Sequence, residues 1–166
     1  MSVKRAITGI VIVVAAMVGP VLASGPAHAA APTTASAARD RVLTAPPAPT
    51  HAKAQAAIQA APPTVDPPVN TSHAFPGQQY HCAYGTLCAG VWDYTTSDWK
   101  IFYLLACKVY AVANWNNQGF FYNNQFSNGY ASFYDENFYV LLTSSPGEDQ
   151  HLYNWSPVWF IKNCPV

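Results

Sequence analysis

The sequence predicts an all-β fold: a two-sheet sandwich of eight short antiparallel strands, arranged as two Greek-key motifs. Three observations carry this expectation. Residues 80–166 hold 22 of the 23 aromatics and all four cysteines, in short runs of strand-forming residues separated by turn residues. Nothing in the chain sustains a helical period. A pattern also recurs at an offset of forty, with Asn114-Trp115 over Asn154-Trp155, Phe120-Phe121 over Phe160-Ile161, and Asn123 over Asn163. Two copies of about forty residues, four strands each, fit a Greek-key sandwich.

The N-terminus reads as a secretory signal peptide over residues 1–29. Lys4 and Arg5 precede an apolar run, and Ala27-His28-Ala29 supplies a small-x-small cleavage site. The uninterrupted apolar core, Ala6–Val18, is 13 residues, short of the roughly 20 that a spanning helix needs. Export is therefore expected, with no membrane association after cleavage. Residues 30–79 contain nine Pro, fourteen Ala and one aromatic, Phe75. Such a segment buries too little apolar surface to offset its ordering entropy. It is expected to be a disordered linker or pro-segment, with a helix-prone patch at His51–Ala61 stopped by Pro62 and Pro63.

The folded domain is expected to begin at Tyr80. Its strands are expected at Leu87–Tyr94, Trp99–Leu105, Val109–Ala113, Gly119–Tyr122, Tyr130–Tyr134, Phe138–Thr143, His151–Tyr153 and Val158–Lys162, with Asn128-Gly129 as a hairpin turn between the copies. Residues 80–166 carry three lysines and six carboxylates, a net −3, so a basic nucleic-acid footprint is absent. A monomer is expected.

Four cysteines in an exported domain of this size imply two disulfides, with three possible connectivities. Cys82 and Cys88 bracket Ala83-Tyr84-Gly85-Thr86-Leu87, where Gly85 can supply a tight turn. Pairing Cys82 with Cys88 and Cys107 with Cys164 is favoured over the two alternatives. A zinc site on His81, Cys82 and Cys88 lacks the usual ligand spacing.

Tyr94-x₄-Trp99-Lys100-Ile101 and Phe133-x₄-Phe138-Tyr139-Val140 keep the aromatic spacing of the βγ-crystallin Greek-key corner, with Ile101 and Val140 in place of its final Gly. The opening Cys82-x₂-Gly85-x₂-Cys88 is similar to that of small secreted bacterial peptidase inhibitors with the same fold, a family that includes an inhibitor of metalloproteinases. The resemblance spans residues 82–164. It implies a βγ-crystallin-like sandwich and a secreted inhibitor of extracellular proteases.

The residues themselves favour binding over catalysis. With the cysteines paired, no thiol is left to act as nucleophile beside His151 and Asn154. Asp135-Glu136 and Glu148-Asp149 fall in turns, where adjacent acids are usually solvated, and no nucleophile–base set is visible. No cofactor or metal is expected. The positions that bind calcium in crystallin-type domains read Asn116-Asn117-Gln118-Gly119 and Ser156-Pro157-Val158-Trp159, without the acidic oxygens a hard cation prefers; Asp93 or Asp135 could bind it weakly. The inhibitory contact is expected at Lys108, Val109 and Tyr110, beside an anchored Cys107, with Ser144–Asp149 as an untethered competitor. The alternative function is a glycan- or surface-binding module. In it, residues such as those in Phe120-Phe121-Tyr122 would point outward by strand alternation rather than form a second covered face.

Overall fold

The computed structural model describes residues 40–50, 52, 61–147 and 149–165. The expected signal peptide, residues 30–39 of the expected linker and most of the helix-prone patch lie outside the described residues. Twelve strands follow in chain order: β1 (Arg41–Thr44), β2 (Thr64–Asp66), β3 (Asn70–Ala74), β4 (Gln79–Cys82), β5 (Thr86–Asp93), β6 (Asp98–Leu104), β7 (Lys108–Ala113), β8 (Gln118–Asn124), β9 (Gly129–Tyr134), β10 (Val140–Ser144), β11 (His151–Asn154) and β12 (Phe160–Pro165). One five-stranded sheet has the order β10-β9-β12-β7-β2, the other β11-β8-β5-β6-β3, and β1 pairs with β4 in a separate ribbon.

All eight expected strands are present, from β5 to β12. Each copy places its first, second and fourth strands in one sheet and its third in the other: β7 joins the second copy's sheet, and β11 joins the first copy's. Asn128-Gly129 therefore does not close a hairpin. A turn closed by Gly129 N–H on the Phe126 carbonyl carries the chain from one sheet to the other. The hairpins within copies are β5–β6 and β9–β10.

Two cores result. Leu87, Ala89 and Val91 of β5, Phe102 and Leu104 of β6, and Phe121 of β8 meet Tyr110, Val112, Ala131, Phe133 and Ile161 between the sheets. The alternate residues Cys88, Trp92, Trp99, Ile101, Phe120 and Tyr122 face the other way and are buried with Tyr80, Cys82 and Ala45. Strand β5 is consequently buried at all eight positions. Phe120, Phe121 and Tyr122 are all buried, so this sheet has the covered second face rather than outward aromatics.

The described part of residues 40–79 enters the sheets. Strand β2 extends one sheet beside β7, β3 extends the other beside β6, and β1 pairs with β4. The boundary expected at Tyr80 is thus not a boundary of strand pairing. Edge strands bind through backbone hydrogen bonds and need few large side chains, so poverty in aromatics did not mark these segments as unfolded. The prolines add acceptors without adding a donor to satisfy. Trp99 Nε1 donates to the Pro46 carbonyl (2.8 Å), Trp115 Nε1 to Thr64 (2.9 Å), Asn114 Nδ2 to Pro62 (3.0 Å) and Lys100 Nζ to Pro63 (3.0 Å).

A chain starting at Tyr80 loses β1–β3 and both indole acceptors. Each orphaned buried donor costs about 1–3 kcal/mol, against a total stability of about 5–15 kcal/mol. A chain starting at Asp40 should melt cooperatively. One starting at Tyr80 should bind a hydrophobic dye and lose its sharp near-ultraviolet transition; equal cooperativity in the two would show that the N-terminal strands are dispensable.

Candidate functional site

At one end of the sandwich, Leu105–Cys107 connects β6 to β7, and all three residues and Lys108 are exposed. Leu105 stands out, a branched apolar side chain 65 % exposed. The backbone beneath it is held at three points. Asn163 Nδ2 donates to the Leu104 carbonyl at 2.8 Å, Tyr110 Oη donates to the Ala106 carbonyl at 3.0 Å, and Cys107 is bonded to Cys164. The second disulfide joins Cys82 to Cys88, giving the favoured connectivity. Gly85 lies in that short loop at φ +89, and its bare α-carbon faces the Phe126 ring and Leu105. A Cβ there would sit 3.1 Å from Phe126 and 3.7 Å from Leu105. Leu105 and the half-exposed Phe126 thus share one end of the domain.

The expected contact residues divide. Lys108 and Val109 are exposed, but both already belong to β7 and face Asn163 and Lys162 of β12 in register. Tyr110 is 2 % exposed and packs in the inter-sheet core. It cannot offer an apolar contact, because strand alternation turns it inward; it braces the loop instead. The sequence places Leu105 at the end of a strand; β6 ends one residue earlier, at Leu104, and leaves Leu105 exposed. The bracing Asn163 belongs to the repeated pattern, whose last residue has the same task in both copies. Asn123 Nδ2 donates to the Ser144 carbonyl at 2.9 Å, and the Asn123 backbone carbonyl accepts from Gly147 N–H at 3.2 Å. The competing segment is therefore tethered, contrary to expectation, but Ser144–Gly147 carries no large apolar side chain. Glu148 lies outside the described residues.

The remaining polar candidates are occupied structurally. Asp93 Oδ1 accepts from Thr95 N–H and Oγ1–H, and Asp135 Oδ1 accepts from Asn137 and Tyr139 N–H, so each carboxylate shapes its hairpin turn. His151 lies against the Phe121 ring at 5.3 Å. Among the described residues, no three His, Cys, Asp or Glu side chains converge as a metal cage. Phe138, which stacks on Phe160, and the nearby Tyr139 and Trp159 are also exposed, at 55, 71 and 49 %.

No family model, no curated protein and no solved structure matches the chain.

Asn163→Ala removes the side-chain amide bond to the buried Leu104 carbonyl and should cost about 0.5–1.5 kcal/mol in denaturant unfolding; Asn123→Ala should cost a similar amount by removing the side-chain brace on Ser144, and hydrogen exchange at Ala106 should rise in the first variant alone. Burial pushes the Tyr110 and Tyr80 phenols above their ordinary value. A raised folded pKa means their contribution is complete below about pH 10 and is lost as pH climbs through the folded values. Stability should thus hold through neutral pH and fall above about pH 10, less steeply in Tyr80→Phe; an equally steep alkaline fall in that variant would assign the effect elsewhere.

Proposed function

We propose that the chain is a secreted, non-catalytic peptidase inhibitor on a βγ-crystallin-like frame, with Leu105–Lys108 as its contact loop. The observation that carries this reading is an exposed apolar Leu105 on a backbone braced by Asn163, Tyr110 and the Cys107–Cys164 bond. A segment that occupies a protease cleft in the manner of a substrate needs an extended backbone, an anchor side chain and little freedom to lose. Bracing reduces the ordering cost of binding. If the loop is cut, the disulfide and the two hydrogen bonds hold the new ends in place, which favours religation over release.

Several features support the frame and the compartment. The exchange of third strands between copies is the connectivity expected of paired Greek keys, and Tyr94 and Trp99 lie buried around the first β-hairpin turn. Two disulfides are typical of oxidising, extracellular surroundings. Lys108 ends the loop and Val109 follows it, and both serve as neighbouring contacts, in place of the three-residue segment ending at Tyr110.

The test is an inhibition screen against extracellular metallo- and serine peptidases. The wild-type chain should inhibit at least one at micromolar concentration. Leu105→Gly should weaken that inhibition by tenfold or more, about 1.4 kcal/mol or above, whereas deleting Pro146–Glu148 should leave it unchanged. Absence of inhibition across the screen removes this reading.

A further inference from the structure

Strand β2 stops short on β7. The two pair as Thr64↔Ala113, Val65↔Val112 and Asp66↔Ala111. The next two residues are Pro67 and Pro68, and proline brings no N–H to a ladder. Pro67–Val69 then carries the chain to Asn70, which pairs with Tyr103 in the other sheet. Stacked sheets lie roughly 10 Å apart, so this connection turns across the end of the sandwich instead of running on along β7. Strand β7 itself continues to Lys108.

The ladder shows which backbone groups this leaves open. Val112 N–H donates to the Trp159 carbonyl at 2.9 Å, on the β12 side. Successive residues of a strand direct their backbone groups to opposite edges. Lys108 and Tyr110 therefore point at β12, where they pair with Asn163 and Ile161. Val109, Ala111 and Ala113 point at β2. Ala111 and Ala113 meet Asp66 and Thr64 there. The place opposite Val109 falls to Pro68, after the β2 pairing has ended, and no residue among those described takes up the Val109 N–H or carbonyl on that side. Beside this open pair lies a groove of about 420 Å³, between the Pro67–Val69 connection on one side and Leu105, Ala106 and Lys108 on the other.

We propose that this vacancy is where the partner of the contact loop adds a strand: an extended peptide segment pairs with Val109 in the place and direction β2 leaves, while Leu105 inserts as the anchor. The inference rests on the inhibitor reading for the identity of the partner, a peptidase whose cleft supplies the strand. One backbone donor and one acceptor at strand spacing are matched by another extended backbone. The β12 ladder and the Cys107–Cys164 bond hold Val109 in strand geometry beforehand, so little ordering is left to lose. Lys108 is the one charged side chain among the described residues that line the groove, and the segment carries an acidic residue beside it. A second copy fits less well. Two chains paired at Val109 would bring their Lys108 ammonium groups onto one face as diagonal neighbours, roughly 7–8 Å apart.

Hydrogen exchange resolved by residue, inhibition kinetics and peptide binding test this on the full chain. In the free chain the Val109 amide should exchange fast while the Tyr110 amide, directed at β12, is protected; a bound peptidase should slow Val109. Val109→Pro deletes the open N–H, and proline is tolerated where that group faces an edge. It should keep the cooperative melt. It should also inhibit roughly tenfold or more weakly than Val109→Thr, which keeps both backbone groups, the worth of one or two hydrogen bonds. An immobilised library of random short peptides, with N-methylated copies, gives a readout independent of both the inhibitor reading and the folding of a variant. Acidic members should bind the wild-type chain, and N-methylation should abolish that binding. If no peptidase is inhibited but unmethylated acidic peptides bind, the inhibitor reading falls and the open strand position stands. The inference is overturned by a Val109 amide protected in the free chain, by undiminished inhibition in Val109→Pro, by N-methylated peptides binding as well as the originals, by no peptide binding, or by a concentration-dependent dimer that Val109→Pro abolishes.

Discussion

Three buried indole N–H groups set the terms of this fold. Tryptophan brings a large apolar surface and one donor that must be satisfied when buried. Trp155 donates to the Gly90 carbonyl inside the first sheet, and the approach is possible because Gly119 has no side chain: a Cβ there would collide with the Gly90 carbonyl and the Trp155 indole nitrogen. Trp99 and Trp115 find their acceptors outside the repeated unit, at Pro46 and Thr64. The eight-stranded repeat is thus incomplete by its own hydrogen bonding. The proline-rich approach to it is structural because it carries those carbonyls and caps the β6 and β7 sides of the two sheets.

The repeat also explains how the copies are locked together. The final Asn of each copy sits in the fourth strand and donates its side-chain amide to the end of the other copy's second strand, Asn123 to Ser144 and Asn163 to Leu104. Exchange of the third strands makes this reach possible, since it interleaves the two copies across both sheets. The central Trp115–Trp155 contact, edge-to-face at 5.0 Å, joins the same two pattern positions. The loops after β6 and β10 are therefore fixed by the same device, and they differ in what they display: a branched apolar side chain in one, serine, proline and glycine in the other.

The strands of the repeat and their order in the chain were legible because β-branched and aromatic runs between turn residues carry a strong local signal. The repeat itself was legible because Trp, Phe and Asn are scarce enough to make their spacing visible. The N-terminal strands were not. Thr64–Asp66 and Asn70–Ala74 are short, polar and flanked by proline, and what holds them is pairing with β7 and β6, which no local pattern records. The contact loop was legible to within a few residues, through Cys107 and its neighbours. The error at Tyr110 came from reading an aromatic as a contact without fixing the strand's phase: Val109 faces out and Tyr110 in, so a one-residue difference in orientation separates a contact from a brace. Nor could the sequence show which aromatic faces are covered, since that depends on where the β1–β4 ribbon lies.

The uneven covering of the two sheets has a physical consequence. Burying both faces of β5 places a doubly packed strand at the middle of the first sheet, beside β6, from whose end the braced Leu105 loop continues. The second sheet keeps a partly open outer face, and there the chain tolerates a left-handed Phe138 whose backbone strain is of order 1–3 kcal/mol for a non-glycine residue. Strain of that size persists only where surrounding bonds over-determine the turn, and the Asp135 carboxylate and the Phe160 ring are the groups that do so. The first copy meets the corresponding hairpin differently: Ser97 takes the positive φ at +61°, while the aromatic Trp99 is buried beside Trp92. One copy thus spends its hairpin aromatic on the core and the other leaves it at the surface, which is why two copies of one pattern leave the molecule with unlike faces.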